Sequence, residues 1–139
     1  MTSGTVELAL IDTSVYVENV RSGRFQEDLL ALPFLVRVSA VVAAELARGA
    51  HSRQAKRFVD SLSRGFPLAV PSDQDWVRSG RIVRMLADRH GFEIHKLREI
   101  HFDVLVALTA RRLGAHLITC DARDFQAIRE ILSFKLICW

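Results

Sequence analysis

The sequence predicts a single α/β domain, with a central parallel sheet of about four or five strands and helices on both faces. Three observations predict it. Short apolar runs alternate with longer, helix-patterned segments along all 139 residues, as stacked strand–helix–strand units require. Residues that cap helices precede several of the helical segments, and glycines follow them. No internal repeat, low-complexity tract or Pro/Gly-rich linker interrupts the chain, so residues 1–139 read as one domain. A chain of this size buries roughly two-thirds of the surface it exposes when unfolded, and so needs no disulfide or metal staple.

Val6–Ile11 is a short apolar run suited to a buried strand. Asp12, Thr13 and Ser14 end it; these residue types start helices by accepting hydrogen bonds from free backbone N–H groups. A helix over Ser14–Val20 follows, then a second over Arg24–Ala31, stopped near Pro33. Phe34–Val38 is the next strand. Ser39 caps a helix over Ala40–Arg48 that Gly49 terminates, and His51–Ser63 is patterned as another helix, with Phe58, Val59 and Leu62 on one face. Phe66–Val70 reads as a short strand. Ser72 with Asp75 three residues on is a capping-box pattern with Asp in place of the usual Glu. It opens a helix over Asp73–Arg89 whose apolar side carries Trp76, Val77, Ile82, Val83 and Leu86, and Gly91 ends it. Phe92–Glu99 reads as a mixed loop. Phe102–Leu113 is a strongly apolar helix closed by Gly114. Ala115–Thr119 is a strand, Asp124–Ile131 a short helix and Phe134–Ile137 a last strand.

Two cysteines, Cys120 and Cys138, are too few for a disulfide framework. No secretory leader pattern opens the sequence and no apolar stretch approaches the ~20 residues of a membrane span. These features predict a cytoplasmic protein with both thiols reduced and no membrane association. The formal net charge is +3, carried by three lysines and sixteen arginines against sixteen acids. A basic balance rich in arginine suits a polyanionic partner, because guanidinium grips phosphate bidentately; a codon-driven preference for arginine explains it equally well. The five histidines (His51, His90, His95, His101, His116) show no zinc-type spacing. His101, two positions before Asp103, is the one placed near an acid of interest.

Chemistry concentrates in the acids. Asp12 directly follows the first strand, and Asp121 follows Ala115–Thr119 by two residues. Both fall at the carboxyl ends of parallel strands, where sites of open α/β sheets form. Glu45 lies early on the helix after the second strand, within reach of that edge. Asp103 interrupts the otherwise apolar Phe102–Leu108, and a lone carboxylate there is costly unless it is paired or bound to a cation. Each acid alone has an ordinary explanation as a cap, turn or helix-start residue. Together they map to one edge. Carboxylates gathered there repel one another and raise one another's pKa unless a cation neutralises them. Hard divalent ions with oxygen ligands, Mg²⁺ or Mn²⁺, are the natural partners, and they meet substrate phosphates.

Four segments in this order and spacing resemble the PIN domain, in the form of the VapC-type toxins of bacterial toxin–antitoxin pairs. They are Leu10–Val15, Ser39–Leu46, His101–Ala107 and Leu117–Phe125. The resemblance spans essentially the whole chain and implies a Mg²⁺-dependent endoribonuclease acting on structured RNA such as tRNA, a cognate antitoxin and a homodimer. It implies Asp12, Glu45 and Asp103 as the first three acids and as metal ligands. For the fourth the chain offers Asp121 and Asp124; Asp121 is expected nearer the metal, with Asp124 in support. Thr13 or Ser14 resembles the hydroxyl that orients the first acid or a metal water. Phe102 departs from the pattern, since many relatives have Pro there, and is expected to affect packing rather than chemistry. In-line hydrolysis would leave a 5′-phosphate and a 3′-hydroxyl, by analogy with metal nucleases in general, with Arg48 and Arg123 as candidates for flanking phosphates.

Other α/β functions fit less well. A haloacid-type phosphatase needs a second Asp two residues after the first, where this chain has Ser14. A receiver domain needs a late Lys after a strand, but Lys135 falls inside the last one. A PIN-fold housekeeping RNA-processing nuclease keeps the same acids, and a non-catalytic binding module would be expected to have lost them.

Overall fold

The computed structural model describes residues 5–139, so the first four residues of the domain lie outside the description. Five strands, β1 (Leu8–Ile11), β2 (Leu35–Ser39), β3 (Leu68–Ala69), β4 (His116–Thr119) and β5 (Lys135–Cys138), form one sheet in the order β3-β2-β1-β4-β5. Every neighbouring pair is parallel, with Leu10 of β1 in register with Arg37 of β2 and Leu117 of β4. Successive residues of a strand point to opposite faces. Ala9, Leu10 and Ile11 are nevertheless all at most 2% exposed, so helices cover the sheet on both sides. The α/β sandwich read from the sequence is what the chain forms.

The helices are α1 (Thr13–Ser22), α2 (Gln26–Leu30), α3 (Ala40–Gly49), α4 (Arg53–Gly65), α5 (Asp73–His90), α6 (Ile94–Leu113) and α7 (Arg123–Arg129). Their limits follow from capping chemistry. The Ser39 hydroxyl accepts the Val42 N–H, and the Ser52 hydroxyl that of Ala55. Gly91 and Gly114 close α5 and α6 with φ of +66° and +65°, a conformation that strains any residue with a Cβ. Among the described residues no helix is long and apolar enough to cross a membrane.

Two expectations fail. Phe92–Glu99 is not a loop: α6 begins at Ile94 and runs unbroken through twenty residues. The segment lacks proline and glycine, its straight-chain residues Lys96, Leu97, Arg98 and Glu99 favour helix, and the Leu97 N–H already bonds the Glu93 carbonyl at 3.0 Å. Its mixed charge concealed the apolar spacing of Leu97, Ile100 and Val104. On α5, Trp76 and Val77 do not face the core; they are 53% and 59% exposed. The inward face is Asp75, Ser79, Ile82 and Leu86, two of them polar and satisfied. The Ser79 hydroxyl bonds the Trp76 carbonyl and the His101 ring at 2.6 and 2.8 Å.

Asp75 shows the strength of that capping. Its carboxylate accepts the Ser72 amide at 2.9 Å and Arg112 Nε at 3.0 Å, while its own N–H bonds the Ser72 hydroxyl. Burial opposes ionisation, but the Ser72 amide and the Arg112 guanidinium outweigh it and hold the carboxyl below its ordinary value. The resulting stability is present above the unfolded pKa and is lost as pH falls through the lowered one. Asp75→Ala is expected to cost about 2 kcal/mol by removing a cap and orphaning a guanidinium. Urea unfolding at pH 7 measures it, and a loss under about 0.5 kcal/mol would show the network to be idle.

At the C-terminus the half-buried Trp139 packs its ring 5.3 Å from that of Phe25. Cys120 is half-buried and Cys138 exposed, and both thiols are free.

Candidate active site

The chain lays β2 and β3 to one side of β1, then crosses to lay β4 and β5 on the other. The order of winding therefore reverses between β1 and β4, and a crevice opens at the carboxyl ends of such a pair. Asp12 follows β1 at this point and still joins the ladder, its N–H bonding the Ile118 carbonyl at 2.8 Å. The side chain is only 6% exposed. It is held from several directions: Ser14 Oγ donates to Oδ2 at 2.7 Å and Thr119 Oγ1 donates at 3.0 Å. Ser14 in turn accepts the Cys120 amide at 3.3 Å. Thus Ser14, rather than Thr13, orients the first acid. Burial raises the Asp12 pKa despite the hydroxyls of Ser14 and Thr119 and the amides of Ser14 and Thr13.

Thr13 serves the second acid. Its hydroxyl donates to Glu45 Oε1 at 3.0 Å, linking α1 to α3. Burial and the nearby Asp12 charge raise the Glu45 pKa, against the Thr13 hydroxyl and Arg48. Asp103, two and a half turns into α6, is strongly perturbed. Burial first, then Asp12, Asp124 and Glu45, push its carboxyl up to about 9, with only Lys96 opposing. The structure therefore brings Asp12, Glu45, Asp103 and Asp124 into one electrostatic cluster.

Asp121 stands apart. It is exposed, and the contacts that place it are those of its backbone with the Thr119 hydroxyl. Asp124, at the start of α7, lines a cleft of about 430 Å³ together with Glu45, Arg48, Arg98, Phe102 and Asp103. The expected preference for Asp121 over Asp124 is thus reversed in the geometry: after Thr119 the chain turns outward, and the first turn of α7 brings it back. Arg48 lies over the Phe102 ring at 5.7 Å on the rim, so Phe102 shapes packing as expected. Arg123 is exposed and lines a neighbouring hollow with Lys96 and Asp124. His101 turns away from the acids to Ser79.

His95, Arg98 and Glu99 also line this cleft, and Lys96 the hollow beside it; a segment taken for a loop gives no reason to place them there. Extending the helix backward from Asp103 in steps of three and four residues finds Glu99, Lys96 and His95 on its face.

A hard divalent cation fits the chemistry of these donors. They are carboxylate oxygens, and burial together with the neighbouring carboxylates raises the Asp103 pKa, a cost that a bound cation relieves. Among the described residues no three His, Cys, Asp or Glu side chains converge closely enough to hold one ion directly. Mg²⁺ does not demand that, since it usually keeps several waters and takes only one or two carboxylates.

Comparison with known proteins follows this geometry. Searching curated proteins finds no match. Among solved structures, VapBC-1 from nontypeable Haemophilus influenzae matches at 22% identity and a TM-score of 0.70, covering 95% of this chain and 98% of that one. VapBC-5 from Mycobacterium tuberculosis, described as a member of the VapBC family of toxin–antitoxin systems, matches at 22% identity, TM-score 0.63 and the same coverages. FitAcB from Neisseria gonorrhoeae matches at 25% identity and TM-score 0.65, over 93% and 96% of the two chains. The family model of the PIN domain matches residues 9–131, from β1 to just past α7. That span holds all the acids described above, and the chain belongs to the PIN-domain family.

Proposed function

We propose that this chain is a divalent-metal-dependent endoribonuclease and the toxin of a toxin–antitoxin pair, with structured RNA such as tRNA as its substrate. One observation carries the nuclease reading. Asp103 lies among Asp12, Glu45 and Asp124 at the switch point of a parallel sheet, and burial first, then these carboxylates, push its pKa up to about 9. No structural need explains four acids gathered at one partly buried point. The solved structures of similar fold are VapBC and FitAcB assemblies, which supports the toxin role and a cognate antitoxin as partner. A homodimer is part of the same reading, and the exposed Trp76 and Val77 on α5 offer an apolar surface to a second copy.

A bound Mg²⁺ or Mn²⁺ supplies charge neutralisation at the phosphodiester and a water of lowered pKa. Asp12 and Asp103 would hold it, with Glu45 and Asp124 beside them; Asp121 is left at the periphery. Ser14 and Thr119 fix the Asp12 carboxylate, and Thr13 fixes that of Glu45, so the acids meet substrate already oriented. Arg48 and Arg98 at the rim face the flanking phosphates, where guanidinium forks grip oxygen pairs.

Purified protein should cut a folded tRNA in Mg²⁺, stop when excess EDTA is added, and resume when Mg²⁺ or Mn²⁺ is restored. Cleavage untouched by chelation would refute the metal role. Absence of cleavage across a panel of cellular RNAs would refute the ribonuclease reading.

A further inference from the structure

We infer that Lys96 is a tethered counter-cation of the acidic cluster: it holds Asp124 in the metal-free protein and gives it up, in whole or part, when a divalent cation arrives. The inference rests on the reading that these acids take such a cation.

Lys96 lies seven residues before Asp103, two helical turns along the same face of α6. Its Nζ is 2.7 Å from both Oδ1 and Oδ2 of Asp124. The ammonium thus engages both oxygens that Asp124 has to offer a metal or a metal's water. Both side chains are half-buried, at 29% and 20% exposure, so the pair is better shielded than a typical surface ion pair. The Phe92 ring sits 5.9 Å from Nζ and adds a weak attraction for the cation.

The rim arginine Arg48 differs in kind. Arg48 is exposed at the rim and acts on Glu45, whereas Lys96 reaches the fourth acid and occupies it. An ammonium on a flexible four-carbon stem is a point charge that can leave and be re-aimed. Once displaced from Asp124, it lies beside the cleft where substrate phosphate is expected. A simple staple between α6 and α7 would need the ion pair but would not oppose a metal.

Mn²⁺ affinity, measured by calorimetry and by electron paramagnetic resonance on the full chain without RNA, separates the two roles. Lys96→Met keeps the stem and removes the charge. It is expected to bind Mn²⁺ about tenfold tighter than wild type, because a positive charge near a divalent ion is gone. Its metal-free melting temperature falls, and Mn²⁺ restores it. Lys96→Arg stays within about threefold of wild-type affinity. Lys96→Gln, which keeps a donor to Asp124, repeats the test if the Met variant does not fold. Wild type that binds Mn²⁺ no more weakly than the uncharged variants makes Lys96 a staple and overturns the inference alone. Wild type and variants that all fail to bind Mn²⁺ overturn the metal reading and the inference with it.

Discussion

Asp103→Asn is expected to reduce RNA cleavage at least about 100-fold while making the metal-free protein more stable than wild type, by a margin that grows from pH 5 to pH 8. Outer-shell partners of metal ligands are alone worth about 10- to 100-fold in affinity or activity, so loss of a ligand should cost no less. The stability effect follows from the proton Asp103 keeps. Its folded pKa of about 9 exceeds the roughly 3.9 of an unfolded Asp. Between these values the unfolded chain has released a proton that the folded chain still binds. Stability therefore falls as pH rises through this window and levels off above it, at no more than about 1.4 kcal/mol per pH unit for one group. An Asn side chain resembles the protonated acid and has no such dependence. The influences on Asp103 are burial and charge, with no hydrogen bond among the principal ones, so the amide disturbs no anchored contact. Asp12 and Glu45 are shifted the same way, and the informative quantity is the difference between variant and wild type. Urea midpoints in EDTA at pH 5, 7 and 9 give it, and Mg²⁺ should shrink the wild-type slope. Parallel pH profiles would mean that Asp103 is ionised in the free protein and that the carboxylates do not crowd it.

How much of this could be read from the chain depends on which signal each residue carried. Asp12 was legible because it ends an apolar strand, and the parallel topology then placed it at the site edge. Asp103 was legible because a carboxylate inside Phe102–Leu108 has no cheap explanation. The reversal between Asp121 and Asp124 was not legible: both sit in one short turn, and only the path of the chain after Thr119 decides which returns to the cleft. Lys96 was hidden by a single misreading of secondary structure. Two glycine-free turns of mixed charge look like a loop until the helix they begin is seen to pack, through Leu97 and Ile100, on the rest. On α5 the error ran the other way. Apolarity nominated Trp76 and Val77 for the core, yet Asp75 and Ser79 took the inward face because Ser72, Arg112 and His101 satisfy them. Patterning locates buried faces well only where burial is paid in hydrophobic area alone.

Asp12→Asn should differ from Asp103→Asn in a way that separates the two acids. Cleavage and Mn²⁺ binding are again expected to fall, by at least about 100-fold in rate, but the fold should weaken as well. Asp12 is 6% exposed and its carboxyl is met only by donors: the hydroxyls of Ser14 and Thr119 and the amides of Thr13 and Ser14. An Asn must turn its own NH₂ toward one of them, leaving a donor against a donor in a dry place. That mismatch costs about 1–3 kcal/mol, on top of the lost charge-assisted bonds. Ser14→Ala removes one of the donors, so the double variant should recover part of the loss, a coupling that a double-mutant cycle by urea unfolding measures directly. An Asp12→Asn protein as stable as wild type, with no coupling to Ser14, would show that the hydroxyls do not hold the first acid. The contrast matters for mechanism: the Asp12 carboxyl is fixed by hydrogen bonds, whereas that of Asp103 has no side-chain hydrogen bond among the described residues and is set by burial and charge. If the two acids hold the proposed cation, one is in place and the other waits for it, and binding would release a proton from Asp103.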